Sequence, residues 1–220
     1  MTLQKQLRNL MLELPPGVNL VAVSKTQPVE VIRELYDAGQ RNFGENRVQE
    51  LIAKQPQLPA DVKWHFIGHL QRNKVKSIVP ITSLIHSIDS FRLLKEVNKE
   101  ASQISRRIDC LLQFHIATEE TKFGLNMEEA ESMLSSGEFS GLKFVNICGV
   151  MGMATYTENE AMVSREFRQL STIFTQLKER YFSGSADFKE LSMGMTSDYM
   201  LAIKEGSTLI RIGTMLFGSR

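Results

Sequence analysis

The chain has 220 residues, 42% hydrophobic and 23% charged, enough apolar material for a substantial core and a length that one large α/β unit often uses. Lys+Arg and Asp+Glu nearly cancel to a formal net charge of +1, which argues against a polyanion-coating surface, because nonspecific nucleic-acid binding needs a basic excess or stripe. No apolar run is long enough to span a bilayer. Cys110 and Cys148 sit inside apolar runs without disulfide or metal-ligand spacing, so reduced, buried thiols of a cytoplasmic protein are expected.

The N-terminal stretch "MTLQKQLRNLMLEL" repeats Leu3, Leu7, Leu10, Met11 and Leu14 at helical spacing, and it lacks the apolar core and cleavage site of a signal peptide. Short apolar runs then alternate with helical patterns. The runs are Leu20–Ser24, Asn42–Gly44, Trp64–Gly68, Leu84–Ser87, Cys110–Ile116, Phe144–Gly149, Glu190–Met193 and Leu209–Ile212. The helical patterns are Val29–Ala38, Arg47–Lys54, Asn73–Val79, Phe91–Ile104, Met127–Leu134, Asn159–Tyr181 and Ser197–Lys204, with Gly39 placed to cap the first. Eight strands alternating with helices predict parallel βαβ units, and the count favours an α/β fold of the closed (β/α)8 TIM-type barrel over an open sheet. The chain reads as a single domain over 1–220 with residues 1–15 packing as an extra N-terminal helix, and "SGSAD" at Ser183–Asp187 as a surface loop. Periodicity alone does not support the strand at Asn42–Gly44.

Barrel chemistry sits at the C-terminal strand ends. The first strand runs into Ser24-Lys25-Thr26, where Val21, Val23 and Lys25 share one face, so the lysine is expected to lean toward the barrel mouth. Its plain alternative is a lysine snorkelling to water. At the other end, "ELSMGMTSDYMLAIKEGSTLIRIGTMLFGSR" places Ser192 at the end of the seventh strand, and Asp198 or Ser197 as a helix N-cap. Ile210 and Ile212 alternate with Arg211, so the guanidinium points into the barrel, where it needs an internal carboxylate or a ligand. Gly213-Thr214 follows, offering backbone N–H groups and a hydroxyl to an anion; phosphate sites recur after strands seven and eight of barrels. A pocket lysine opposite a phosphate cradle has one obvious shared ligand, pyridoxal 5′-phosphate (PLP), which forms a Schiff base with lysine.

The segments "LVAVSKTQP", "NFGENRVQE", "WHFIGHLQRNK", "HSID", "EETKFG" and "LSMGMTSDYMLAI…GSTLIRIGTMLFG" resemble the pyridoxal phosphate homeostasis proteins (YggS/PROSC type), a family similar in fold to the barrel domain of alanine racemase. The resemblance covers Leu20 to Gly218 in family order. It implies that Lys25 carries the Schiff base, that Asn46 lies near the cofactor, that Ser192, Gly213 and Thr214 hold the phosphate, and that Arg211 approaches the pyridine nitrogen. An arginine there leaves that nitrogen unprotonated and the ring a weaker electron sink, which suits a cofactor holder or a restrained racemase better than a transaminase. The fifth-strand motif departs from the family at His115, where Asn is usual, while Glu120, Lys122 and Gly124 match; Gly149 and Met151 fit the family's Gly-x-Met.

Three functions compete: a PLP carrier in vitamin B6 homeostasis without turnover of its own, a PLP-dependent amino-acid racemase, and a metal-dependent hydrolase. Racemisation needs an acid/base group on each face of the substrate. The chain ends at Arg220 without the further β-domain that supplies a tyrosine in alanine racemases, and Tyr36, Tyr156, Tyr181 and Tyr199 carry no signature, so the carrier is expected, with no catalytic residue of its own. His65, His69, His86 and His115 lack His-x-His spacing and read as hydrogen-bonded lining residues, with His69 near enough to touch cofactor or ligand. The methionines near strand ends, Met151, Met153, Met193 and Met195, read as packing. Glu119-Glu120 reads as a solvated loop pair. The expected partners are PLP, with PLP-dependent apoenzymes or free amino acids as recipients, and neither nucleic acid nor membrane. The expected assembly is a monomer or weak dimer.

Overall fold

The computed structural model describes residues 2–119 and 123–218. Eight parallel strands run in sequential order around a closed barrel: β1 (Asn19–Val23), β2 (Asn42–Glu45), β3 (Lys63–Phe66), β4 (Leu84–Ile88), β5 (Ile108–Phe114), β6 (Val145–Gly152), β7 (Glu190–Ser192) and β8 (Leu209–Ile212), with β8 pairing β1. The helices are α1 (Leu3–Glu13), α2 (Val29–Asp37), α3 (Val48–Lys54), α4 (Val75–Ile78), α5 (Phe91–Gln103), α6 (Met127–Leu134), α7 (Gly137–Ser140), α8 (Glu160–Tyr181), α9 (Tyr199–Lys204) and α10 (Thr214–Phe217).

Strand alternation sorts the side chains into two layers. Leu20, Ala22, Phe43, Phe66, Ile210 and Ile212 face outward and join the helices in one continuous apolar layer. Val21, Leu84, Leu111, Cys148, Met151 and Leu209 face inward and form a separate small cluster, with Met153 at its edge. The two buried cysteines are therefore free but lie on opposite faces of the sheet, Cys110 outside and Cys148 inside. Burial pushes both thiols up, which keeps them protonated and unreactive. The weak Asn42–Gly44 strand does form, paired with β1 and β3, and Gly44 faces inward, where a Cβ would come within 2.9 Å of Val21 Cγ1. A side chain there does not fit, so β2 shows little apolar alternation.

Several element ends differ from expectation. β6 runs on to Gly152, through a register shift opposite Cys110 and Leu111. Gly149, at φ +152°, makes this possible, since a Cβ there would strike the Glu190 carbonyl of β7. The helix expected over Asn73–Val79 splits into a 3-10 turn, Arg72–Lys74, and the short α4. The short α7 and α10 carry too few residues for periodicity to show. Asp198 does stand at the N-cap of α9, but its carboxylate accepts from Met195 N–H at 2.6 Å rather than from the helix. Gly39 takes φ +104° after α2 and donates to Tyr36 O, as a helix-ending glycine should.

Candidate functional site

β8, β1 and β2 are neighbours, and their register lines up the expected residues. Ala22 pairs with Ile212 and Val23 with Gly44, so Lys25 and Asn46 each stand two residues past a matched pair. Gly213 packs on Val23, where an added Cβ would lie 3.4 Å from the Val23 carbonyl and Cβ. Lys25, Asn46, Gly213 and Thr214 thus share one arc of the C-terminal rim. Thr214 opens α10, whose first amides have no intrahelical acceptor. The Asn46 Oδ1 is shielded from solvent and finds no hydrogen-bond partner among the described residues. Strand β1 stops at Val23, two residues short of the lysine. Lys25 occupies the following turn and is exposed, so strand alternation does not set its direction; the turn does.

That turn is clamped on both sides of Lys25. Ser24 Oγ donates to Glu45 Oε1 at 2.6 Å, and Lys54 Nζ donates to Ser24 O at 2.9 Å and to Glu45 Oε1 at 2.8 Å. On the far side, Thr26 N–H donates to Glu50 Oε2 at 2.6 Å, and Lys54 reaches the same oxygen at 3.0 Å. Thr26 adopts φ +62°, a left-handed conformation a β-branched residue seldom takes, held here by Glu50. Burial raises the Glu45 carboxyl above its ordinary value, and the Lys54 and Ser24 hydrogen bonds only partly oppose it. Burial raises Glu50 as well, but the Thr26 N–H, Lys54 and the Arg47 charge outweigh it and hold that carboxyl below its ordinary value.

Ser192 and Arg211 lie inside the barrel, below the rim. Arg211 is level with Val21, and its Nη1 donates to Ser192 Oγ at 2.6 Å while Nη2 donates to Gly152 O at 3.1 Å. No carboxylate pairs with it among the described residues. Burial pulls the guanidinium down to about 10, the Asp198 charge opposing, so it remains charged at neutral pH. Ser192 Oγ also contacts His86 Nδ1 at 3.1 Å, and His86 Nε2 contacts His65 Nδ1 at 2.9 Å. Burial pulls His86 well below its ordinary value, with His65 and Arg211 adding to the effect; burial and the Lys63 charge pull His65 down to about 3. Burial thus favours the neutral form of both rings.

His69 and His115 also follow C-terminal strand ends, those of β3 and β5, and Gly68 beside His69 abuts Asn46, where an added Cβ would lie 2.2 Å from the carbonyl oxygen. His69 bonds Asp89 Oδ2 at 3.1 Å and stacks on Phe123 with ring centres 3.8 Å apart. His115 Nε2 lies 2.8 Å from the Glu119 carbonyl. Glu120 and Lys122 lie outside the described residues. Among the described residues no three His, Cys, Asp or Glu side chains gather as metal ligands. Neither does any helix there have the length and apolarity to cross a membrane. Glu45, Glu50 and Lys54 hold the Lys25 turn without having been singled out for it, although Glu45 and Glu50 fall within a motif that carries the family resemblance; His65 and His86 are hydrogen-bonded inside the barrel, as expected of lining residues.

The model of the alanine racemase N-terminal domain family matches residues 2–220. The pyridoxal phosphate homeostasis protein of Aquifex aeolicus (strain VF5) is 41% identical over 203 residues, 91% of this chain and 86% of that protein. Its counterpart in Synechocystis sp. (strain ATCC 27184 / PCC 6803 / Kazusa) is 37% identical over 209 residues, 94% of each chain. The chain belongs to the pyridoxal phosphate homeostasis protein family. PipY of Synechococcus elongatus PCC7942, solved with PLP bound, superposes with a TM-score of 0.89 at 39% identity, covering 99% of this family member and all of PipY. An alanine racemase of Clostridium difficile 630 matches with a TM-score of 0.76 at 13% identity over 56% of its length, a likeness of fold alone.

Proposed function

We propose that the chain binds PLP through a Schiff base on Lys25 and serves intracellular vitamin B6 homeostasis by holding the cofactor, without turnover of its own. The observation that carries this reading is the gathering of Lys25, Asn46, Gly213 and Thr214 on adjacent strand ends. The family relationship supports it, as does PLP in the PipY structure. The residues fit the group. The amide of Asn46 has a buried oxygen with no partner among the described residues, and a ring oxygen would supply one, with an amide flip deciding the polarity.

When bound, PLP supplies an electrophilic aldehyde and a ring that can take up negative charge. Lys25 would hold the aldehyde end of the cofactor through Nζ, as a Schiff base. The clamped Ser24 and Thr26 hold the turn from which the amine reaches. Gly213 and Thr214 would take the phosphate with backbone N–H groups and a hydroxyl. Ser192 fits a supporting role better than the phosphate contact the resemblance implies, since its buried hydroxyl already serves Arg211 and His86. Arg211 would donate to the ring nitrogen and supply it no proton, which leaves the ring a weak electron sink.

A racemase needs a second proton-transfer group. Tyr36, Tyr181 and Tyr199 already bond Asp61, Ser135 and Glu13, and Tyr156 is exposed, which favours holding over turnover. Two measurements test the reading. The purified protein incubated with PLP should show a visible Schiff-base band that Lys25→Ala abolishes; a full band in that variant sinks the assignment. Amino acids incubated with the loaded protein in heavy water should keep their α-protons; rapid exchange would make it a racemase.

A further inference from the structure

Arg211 is a buried cation without a carboxylate partner among the described residues, and its hydrogen bonds show what stands in for one. A guanidinium only donates, so Ser192 Oγ accepts from Arg211 Nη1. Ser192 is fully buried, and among the described residues the proton of its hydroxyl has one remaining acceptor, His86 Nδ1. His86 must then carry its proton on Nε2, which lies 2.9 Å from His65 Nδ1 and donates to it. His65 in turn is the Nε2–H form. The reverse direction, with His86 Nδ1–H donating to Ser192, would leave the serine proton buried without an acceptor, an arrangement native structures avoid.

We propose that His86 and His65 are positioning residues for Arg211: the chain Arg211→Ser192→His86→His65 runs one way, presenting an acceptor toward the guanidinium at every link. Aligned hydrogen bonds of this kind polarise one another in a low-dielectric interior. A carboxylate in the same place would hold the arginine equally well but neutralise it. The neutral chain holds it while leaving its charge to whatever lies above. The residues come from β3, β4, β7 and β8, so the relay also ties opposite sides of the barrel to the orientation of one side chain. It rests on the cofactor reading only for what the guanidinium meets.

Nitrogen-15 NMR of the protein without PLP reads the relay directly. Both imidazoles should appear as neutral Nε2–H tautomers near neutral pH; an Nδ1–H tautomer or a charged ring at His86 overturns the proposal. In the loaded protein, His86→Leu should weaken PLP binding about tenfold, the loss expected for a hydrogen bond linked to a charge, and should shift the visible band. His86→Asn, whose amide oxygen can stand near the Nδ1 position, should restore both. A His86→Leu protein with unchanged affinity and band overturns the relay. If the wild type takes up no PLP, the cofactor reading fails, and the tautomers alone decide the relay.

Discussion

Two polar networks flank the site, and they solve burial in opposite ways. The outer one, Glu45–Lys54–Glu50, neutralises charge with charge: the Lys54 ammonium meets two carboxylates, and both also hold the Lys25 turn. The inner one surrounds Arg211 with a hydroxyl, a carbonyl and, through the hydroxyl, two neutral imidazoles. Salt bridges suit a backbone clamp, because a clamp needs no residual charge. Neutral partners suit a residue that, on the proposed reading, presents its charge to a ligand. Position follows function: the clamp lies under α3, outside the strands, and the cation lies inside them.

The largest effect should come from breaking the outer pair. Lys54→Met leaves Glu45 buried with only Ser24 as partner, and should cost about 3–5 kcal/mol in urea unfolding. Glu45→Leu added to it should recover most of that loss, because no unpaired charge remains. Arg211→Met should cost less, about 1–3 kcal/mol, since it strands only the Gly152 carbonyl and leaves Ser192 donating to His86. An Arg211 variant that destabilises more than Lys54→Met would break the contrast between the networks.

The pH dependence sharpens it further. Glu50 has a lowered folded pKa, so its contribution is present above the unfolded value and lost as pH falls through the folded one. Glu45 is raised, so its contribution is complete below the unfolded value and declines as pH rises through the folded one. Glu50→Gln should therefore lower stability at neutral pH and flatten the acid limb of the stability profile. An unchanged acid limb would show that Glu50 does not hold the turn. The smallest effect should be at Thr26. Thr26→Gly removes the left-handed strain but frees the unfolded chain, so urea unfolding should show a gain of at most about 1 kcal/mol. A clear loss would mean the threonine side chain matters beyond its backbone.

Local pattern made the barrel legible: alternation at Leu20–Val23 and Leu209–Ile212 predicts both faces of β1 and β8, and the buried Arg211 follows from the same alternation. The positions of Lys25, Gly213 and Thr214 after strand ends are legible for a similar reason, whereas Asn46 follows from the family resemblance alone. What lies between distant segments is not. Ser192 reads locally as a strand-end hydroxyl free for phosphate, yet its partner His86 is 106 residues away. Lys54 reads as the last turn of a surface helix, but nine residues back Glu45 faces outward beneath that helix and draws it in. His65 and His86 look like isolated strand histidines until the closed barrel brings them into contact.

The central claim is that Lys25 carries the cofactor, and borohydride reduction of the PLP-loaded protein followed by peptide mapping tests it most directly. The account predicts one pyridoxyl adduct, on the peptide containing Lys25, in proportion to the visible band lost. An adduct on Lys54 or another lysine, with Lys25 unmodified, would contradict it.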